Sequence, residues 1–180
     1  MSLKRVVMVA VETASIKERL SDFMKNTKVM VYGAAVAAIY AVLTLAFAPI
    51  SYGPVQFRIS EILTVLPLLT SFSVPGLTVG CIVANLVGGY GLYDIIVGSL
   101  ATCLGAVGTR LLRKKPVLAM LMPVISNAVL VGSMLYFVVP DSPALLMNMV
   151  TVGIGELVIC LGLGLPLYHV LQKKVLLFRF

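Results

Sequence analysis

An uncharged apolar run near the start of the chain restricts the folds that this sequence can adopt. Val29 to Ile50 covers 22 positions without an Asp, Glu, Lys or Arg. A helix of that length is about 30 Å long, which matches the hydrocarbon core of a bilayer. Pro49, Gly53 and Pro54 then interrupt the run. The segment predicts a membrane-spanning helix that ends in a loop.

The whole composition agrees with a lipid environment. Hydrophobic residues make up 60% of the 180 positions and charged residues only 12%. Soluble domains contain roughly 25% charged residues, because their surfaces face water. The composition therefore excludes a soluble enzyme and favours a chain whose surface contacts a lipid bilayer.

Proline and glycine clusters divide the rest of the chain into further apolar segments. We predict an all-α, polytopic membrane protein with six transmembrane helices: Val29–Ile50, Ile59–Phe72, Pro75–Val87, Leu92–Leu112, Val117–Val139 and Ala144–Leu171. They form a membrane domain over residues 29–172. Residues 1–28 are expected to be a cytoplasmic leader, either amphipathic or disordered, and residues 173–180 a basic cytoplasmic tail.

The basic residues predict the orientation. Thirteen of the 14 Lys and Arg lie in Lys4–Lys28, Arg110–Lys115 and Lys173–Arg179, and Arg58 is the exception. With six spans, all three patches fall on one side, and the positive-inside rule makes that side cytoplasmic. The patches lack interleaved aromatic residues, so nucleic-acid binding is not expected. Both termini are therefore predicted to be cytoplasmic.

Small residues form two stripes along the first span. Gly33, Ala37 and Ala41 are four residues apart, as are Ala34 and Ala38. Such stripes allow close approach of another helix in a bilayer. They predict either internal packing or a docking face for a partner subunit.

Several polar residues lie where lipid disfavours them. Glu156 is deep in the sixth span, where an acid costs at least about 2.5 kcal/mol, which favours a ligand or proton site. A protonated structural carboxyl or a pair with Arg58 is the alternative. Arg58 and Glu61 are three residues apart and can pair to brace a loop. Amides and loop residues near these charges complete the candidates: Asn85, Asn127, Asp94, Tyr52, Gln56, Phe57, Tyr90 and Tyr93.

Motifs for catalysis are not found in the sequence. It has no GxxxxGK[ST] phosphate loop and no HExxH motif, and its three cysteines lack metal-ligand spacing. We predict no catalytic residue, no metal ligand and no cofactor, and the chain is not expected to be an enzyme.

The sequence around the first loop resembles the QueT family. The run Tyr52-Gly-Pro-Val-Gln-Phe-Arg-Ile-Ser-Glu61 and the following Leu63-Thr-Val-Leu-Pro67 carry most of the likeness. It continues through residues 75–77, 80–86, 92–95, 98–102, 125–128 and 155–157. Members of that family are regarded as substrate-binding S components of energy-coupling factor (ECF) transporters for queuosine precursors. The resemblance implies a bacterial plasma-membrane importer.

It also implies partners, namely a transmembrane coupling (T) subunit and two cytoplasmic ATPases that hydrolyse the ATP. S components dock onto the coupling subunit through the alanine face of the first helix. For this chain the docking residues would be Gly33, Ala34, Ala37, Ala38 and Ala41.

For a 7-deazaguanine base, Glu156 is the candidate acceptor of the two donors on the guanine-like edge. Asn127 and Asn85 could bind the carbonyl and the ring nitrogens, and Asp94 a cationic aminomethyl group. An aromatic from the outer loops, Tyr52, Phe57 or Tyr93, could stack on the ring, with Arg58, Glu61 and Gln56 beside it. The alternatives are an S component for another vitamin- or purine-like molecule, and an autonomous carrier built around Glu156.

Overall fold

The computed structural model of the protein describes residues 26–53 and 56–174. The predicted leader lies almost wholly outside these residues, as does most of the predicted basic tail. Within them every regular element is helical. Six helical segments follow one another: α1 Asn26–Ala46, α2 Ile59–Leu69, α3 Ser73–Gly88, α4 Asp94–Leu111, α5 Pro116–Val138 and α6 Leu145–Lys174. A single turn, Ala48–Ser51, extends α1 past its end.

Each helical segment overlaps one of the predicted spans. Of the described helices, α1, α4, α5 and α6 are long and apolar enough to cross a membrane. The other two, α2 and α3, are apolar but shorter. Exposed leucine, isoleucine, valine and phenylalanine side chains occur along the helices, as expected where the surrounding medium is lipid. The all-helical fold is therefore confirmed for the described residues, with four helices that are candidates for crossing a membrane.

Three helices contain irregular turns, and these lie beside the buried polar residues. In α2, Ile59–Val65 is a 3₁₀ helix that continues as α-helix over Leu66–Leu69. A π-helical segment, Asp94–Gly98, begins α4, and a second one, Val158–Gly164, interrupts α6. Such departures from α-helical winding often occur at functional sites.

Glycines of α3 bring its backbone against α1. A Cβ atom on Gly76 would lie 2.7 Å from the carbonyl oxygen of Gly33, and one on Gly80 would lie 2.7 Å from that of Ala37. Ala41 is buried in the same interface. One stripe of small residues on α1 therefore packs inside the subunit. The other stripe, Ala34 and Ala38, is exposed.

The helix ends form two poles of different character. At one pole, the carbonyl of Pro67 at the end of α2 accepts a hydrogen bond from Arg110 Nη1 at 3.2 Å. The exposed bases Arg113, Lys114 and Lys115 follow α4 directly. The opposite pole holds the loop after α1 and the turn between α3 and α4. The polar site lies toward this second pole.

Candidate functional site

Charged side chains are buried at few places in this bundle. Among residues 26–53 and 56–174 they are Arg58, Glu61, Asp94 and Glu156, each at most 3% exposed. Ionisable groups within apolar surroundings are expected to pair with one another or to face a cavity. We therefore describe the partners of each.

Arg58 forms an ion pair with Asp94. The distance from Arg58 Nη2 to Asp94 Oδ1 is 3.3 Å, and both side chains are almost fully buried. The predicted pair between Arg58 and Glu61 is wrong, because Glu61 makes its hydrogen bonds elsewhere. Arg58 does brace a loop, but its acidic partner is Asp94 from the π-helical turn of α4 and not Glu61.

The neighbours of Asp94 use the rest of its polar atoms. Its Oδ2 accepts a hydrogen bond from the backbone N–H of Tyr90 at 3.3 Å, and its carbonyl accepts one from Asn85 Nδ2 at 2.8 Å. The sulfur of Cys81 accepts from the same Asn85 nitrogen at 3.4 Å and from Arg58 Nη1 at 3.7 Å. Asp94 and Asn85 are therefore occupied by internal partners.

Glu61 is held by two hydroxyl groups. Its Oε1 accepts hydrogen bonds from Tyr40 Oη at 2.5 Å and from Thr102 Oγ1 at 3.2 Å. Its Oε2 is buried and has no hydrogen-bond partner. The sequence does not predict the roles of Tyr40 and Thr102, because a hydroxyl in an apolar span does not indicate which residue of another helix it contacts.

Glu156 lies on the other side of the same polar region. Its Oε2 accepts a hydrogen bond from the Cys160 thiol at 3.5 Å, and the Asn127 side chain lies beside it. Thr64 links the two acids, since its hydroxyl donates to the carbonyl of Glu61 at 2.6 Å and lies 3.6 Å from the Cys160 sulfur. Glu156 and Glu61 are close enough to interact electrostatically. The structure thus brings together Glu61, Glu156 and Asn127.

The loops at this pole contain the predicted aromatic residues. Tyr52 Oη donates to the carbonyl of Ala84 at 2.8 Å, and its ring centroid lies 5.5 Å from the Arg58 guanidinium carbon. Burial raises the pKa of Tyr52 to about 12, so its hydroxyl remains a donor at neutral pH. Tyr90 Oη donates to the carbonyl of Tyr52 at 2.5 Å, and burial raises the pKa of Tyr90 as well. These contacts tie the two loops together above the ion pair.

The remaining loop candidates differ in position. Gln56 is buried with φ of 47° and an unpartnered Nε2, and Phe57 is partly buried. Tyr93 is 65% exposed and lines an apolar groove with Val97 and Met134. Tyr93 therefore lies on the outer surface of the bundle and not among the buried polar residues.

Several buried polar atoms of this region have no hydrogen-bond partner. They include Glu61 Oε2, Asn127 Nδ2 and Arg58 Nε, none of which makes a hydrogen bond. Such groups cost roughly 1–3 kcal/mol each when buried without a partner. Both donors and an acceptor are therefore available for a small polar molecule. No group of three or more His, Cys, Asp or Glu residues in the described ranges is arranged to hold a metal ion.

Comparisons with known proteins point to a transporter family. Over 83 residues, 39% are identical to a Lactococcus lactis protein named "Queuosine precursor transporter QueT". That match covers 44% of this chain and 48% of the relative, so it spans about half of each. No solved structure matches the chain. Residues 30–173, nearly all of the membrane part, match the QueT transporter family, and the chain belongs to that family.

Proposed function

We propose that this protein is the substrate-binding S component of an ECF-type importer and that it captures a 7-deazaguanine base, a queuosine precursor, from outside the cell. The observation that carries the proposal is the set of unpartnered polar atoms beside Glu61, Glu156 and Asn127 in a membrane bundle. The name of the Lactococcus relative supports the substrate class.

Glu156 is the proposed contact for the guanine-like edge of the base. That edge presents a ring N–H and an amino group side by side, and a carboxylate can accept both. Glu156 suits this role because the hydrogen bond that it accepts from Cys160 comes from a weakly donating thiol. The free Nδ2 of Asn127 can donate to the carbonyl of the base. Asp94 and Arg58 are left to hold the loops in place, since each is the other's partner.

ATP-driven uptake requires an ATPase, and this sequence lacks the phosphate loop of one. The proposed partners are a transmembrane coupling subunit and two cytoplasmic ATPases. An apolar groove of about 330 Å³ between α1 and α3 is the proposed docking surface for a helix of the coupling subunit. Ala34 lines this groove together with Pro75 and Val79 of α3. Small side chains along its edge permit the close contact that helix association in lipid requires.

The proposed orientation places the basic pole in the cytoplasm. The bases that follow α4 and those at the end of α6, Lys173 and Lys174, obey the positive-inside rule in that arrangement. All six helical segments would then cross the bilayer, with α2 and α3 as the short crossings. The polar site would face outward, where a substrate is captured.

Binding and copurification test the two parts of this proposal. Titration calorimetry of the purified subunit with 7-deazaguanine bases, and with guanine as a comparison, should show saturable binding of at least one of these bases. Tagged protein from its native membrane should bring down a coupling subunit and two ATPases. An autonomous carrier would instead purify alone and transport substrate when reconstituted by itself.

A further inference from the structure

A groove at the start of α5 lies beside the exposed bases of the basic pole. It has a volume of about 380 Å³ and is lined by Lys115, Pro116, Val117, Leu118 and Leu121. Val117 and Leu118 are 59% and 45% exposed, so the apolar wall of the groove is open to the surroundings. Along an α-helix Leu121 lies roughly 8 Å from Pro116. The groove therefore leads from a charged mouth at Lys115 toward the hydrocarbon depth of a bilayer.

The bases at this mouth have no acid near them among residues 26–53 and 56–174. Arg113, Lys114 and Lys115 follow one another and are exposed. Three of the four described acids are buried in the polar site, and the fourth, Asp141, follows the far end of α5. The positive charge at the mouth is therefore not neutralised within the described part of the chain. Such a charge beside a bilayer surface attracts anionic headgroups.

The lining of the groove favours a lipid chain over a helix of another protein. Helices that associate in lipid use small residues at their contact, and the groove between α1 and α3 has Gly33, Ala34 and Ala37 for that purpose. The five residues that line the groove at α5 include no glycine or alanine. In addition, α5 packs against α4 and α6, so this groove is separate from the proposed docking surface.

We propose that the groove at the start of α5 binds an anionic phospholipid. One acyl chain lies along Val117, Leu118 and Leu121, and the phosphate contacts the ammonium groups of Lys114 and Lys115. A lysine side chain can lie along apolar surface with its charge at the interface, so the same groove holds both parts of the lipid. In the proposed orientation this lipid belongs to the cytoplasmic leaflet. Its binding does not depend on which base the polar site takes.

Native mass spectrometry of the full-length subunit in detergent tests the charge requirement with two lipids that both carry oleoyl chains. The wild-type protein should retain phosphatidylglycerol at least about tenfold more strongly than phosphatidylcholine, because each nearby base favours an anionic headgroup by roughly a factor of five. Lys114→Gln combined with Lys115→Gln should remove this preference. Lys173→Gln combined with Lys174→Gln is the matched control. It removes the same charge from the same pole, away from the groove, and should leave the preference within about threefold of wild type.

A second pair of variants tests the apolar part of the site. Leu118→Trp places a larger side chain in the groove and should weaken the retention of both lipids by about tenfold. Leu111→Trp adds the same bulk at the exposed end of α4 and should weaken neither. Glycerophosphoglycerol, the headgroup without its chains, should not displace phosphatidylglycerol when added in excess. All the substituted residues are exposed, so the thermal midpoints should stay close to that of the wild type.

Four results would overturn the proposal. Equal retention of the two lipids by the wild-type protein would exclude a charge-reading site. Equal losses of phosphatidylglycerol in the two lysine double variants would indicate a diffuse attraction to the whole pole. Displacement by glycerophosphoglycerol would indicate a site for a soluble phosphodiester. Loss of the coupling subunit from copurification with the Lys114 and Lys115 double variant, at unchanged lipid retention, would make this surface a protein interface. Each of these results leaves the proposed binding of a 7-deazaguanine base untouched.

Discussion

Arg58 and Asp94, 36 positions apart in sequence, form an ion pair in which both side chains are almost fully buried. The pair joins the loop that precedes α2 to the first turn of α4. Its geometry is a single contact at 3.3 Å, and the sulfur of Cys81 accepts from the other terminal nitrogen of Arg58. Because the charges compensate each other in a dry environment, loss of either one leaves the other unbalanced.

We expect Arg58→Gln or Asp94→Asn to destabilise the protein by about 3–5 kcal/mol, because each leaves an uncompensated buried charge. The double variant should cost less than the sum of the two single variants. A double-mutant cycle on unfolding in detergent measures this coupling. Additive costs would show that the ion pair contributes nothing as a pair.

Glu156→Gln should weaken binding of a 7-deazaguanine base by about 2–4 kcal/mol. The substitution places an amino group where the base presents donors, and it removes the charge. Calorimetry measures the loss. Ser126→Ala is a control on the neighbouring helix, since the Ser126 hydroxyl donates to the carbonyl of Pro123 in its own helix. Binding of Glu156→Gln within threefold of wild type would make Glu156 structural.

Gly80→Ala should lower the thermal midpoint in detergent. The added methyl would lie 2.7 Å from the Ala37 carbonyl and 2.8 Å from the Tyr40 Cβ, so α1 and α3 must move apart. Overpacking of this kind costs about 1–3 kcal/mol. Gly162→Ala is the matched control, because a Cβ there meets nothing within 4 Å. Similar midpoints for both variants would contradict the close α1–α3 packing.

Ala38→Leu should spare substrate binding yet prevent copurification of the coupling subunit. Ala38 is exposed, so a larger side chain obstructs a partner and leaves the subunit intact. Ala41→Leu should instead destabilise the subunit itself, because Ala41 is buried against α3. Gly162→Leu adds the same bulk at an exposed position of α6. It should change neither the stability of the subunit nor the copurification of the coupling subunit. Normal recovery of the coupling subunit with Ala38→Leu would exclude this stripe from docking.

Reporter fusions after Arg179 and within the loop at Ser142–Pro143 should give opposite signals. The expectation follows from the basic residues, of which 13 of 14 fall on one side of a six-span chain. A fusion between Arg113 and Lys114 should match the fusion after Arg179. Equal signals at Arg179 and Ser142 would rule out the six-span arrangement.

Apolar periodicity and breakers predicted all six helical segments, because helix length and the position of Pro and Gly are local properties. They also singled out Glu61, Glu156 and Asn127 as polar groups in apolar surroundings. The partner of Arg58 could not be predicted in the same way. Spacing within one helix suggested Glu61, whereas the π-helical turn of α4 brings Asp94 from 36 positions away. Tyr40 was missed for the same reason, since its contact with Glu61 depends on how α1 packs against α2.

The 3₁₀ winding of Ile59–Val65 gives α2 more reach than its length suggests. A 3₁₀ helix rises about 2.0 Å per residue and an α-helix about 1.5 Å, so Ile59–Leu69 extends roughly 20 Å and not the roughly 16 Å of an all-α segment. The short helix α2 therefore places Glu61 among the buried acids, while the carbonyl of Pro67 accepts a hydrogen bond from Arg110 at the basic pole. Depth in a bilayer is therefore set by winding as well as by residue count.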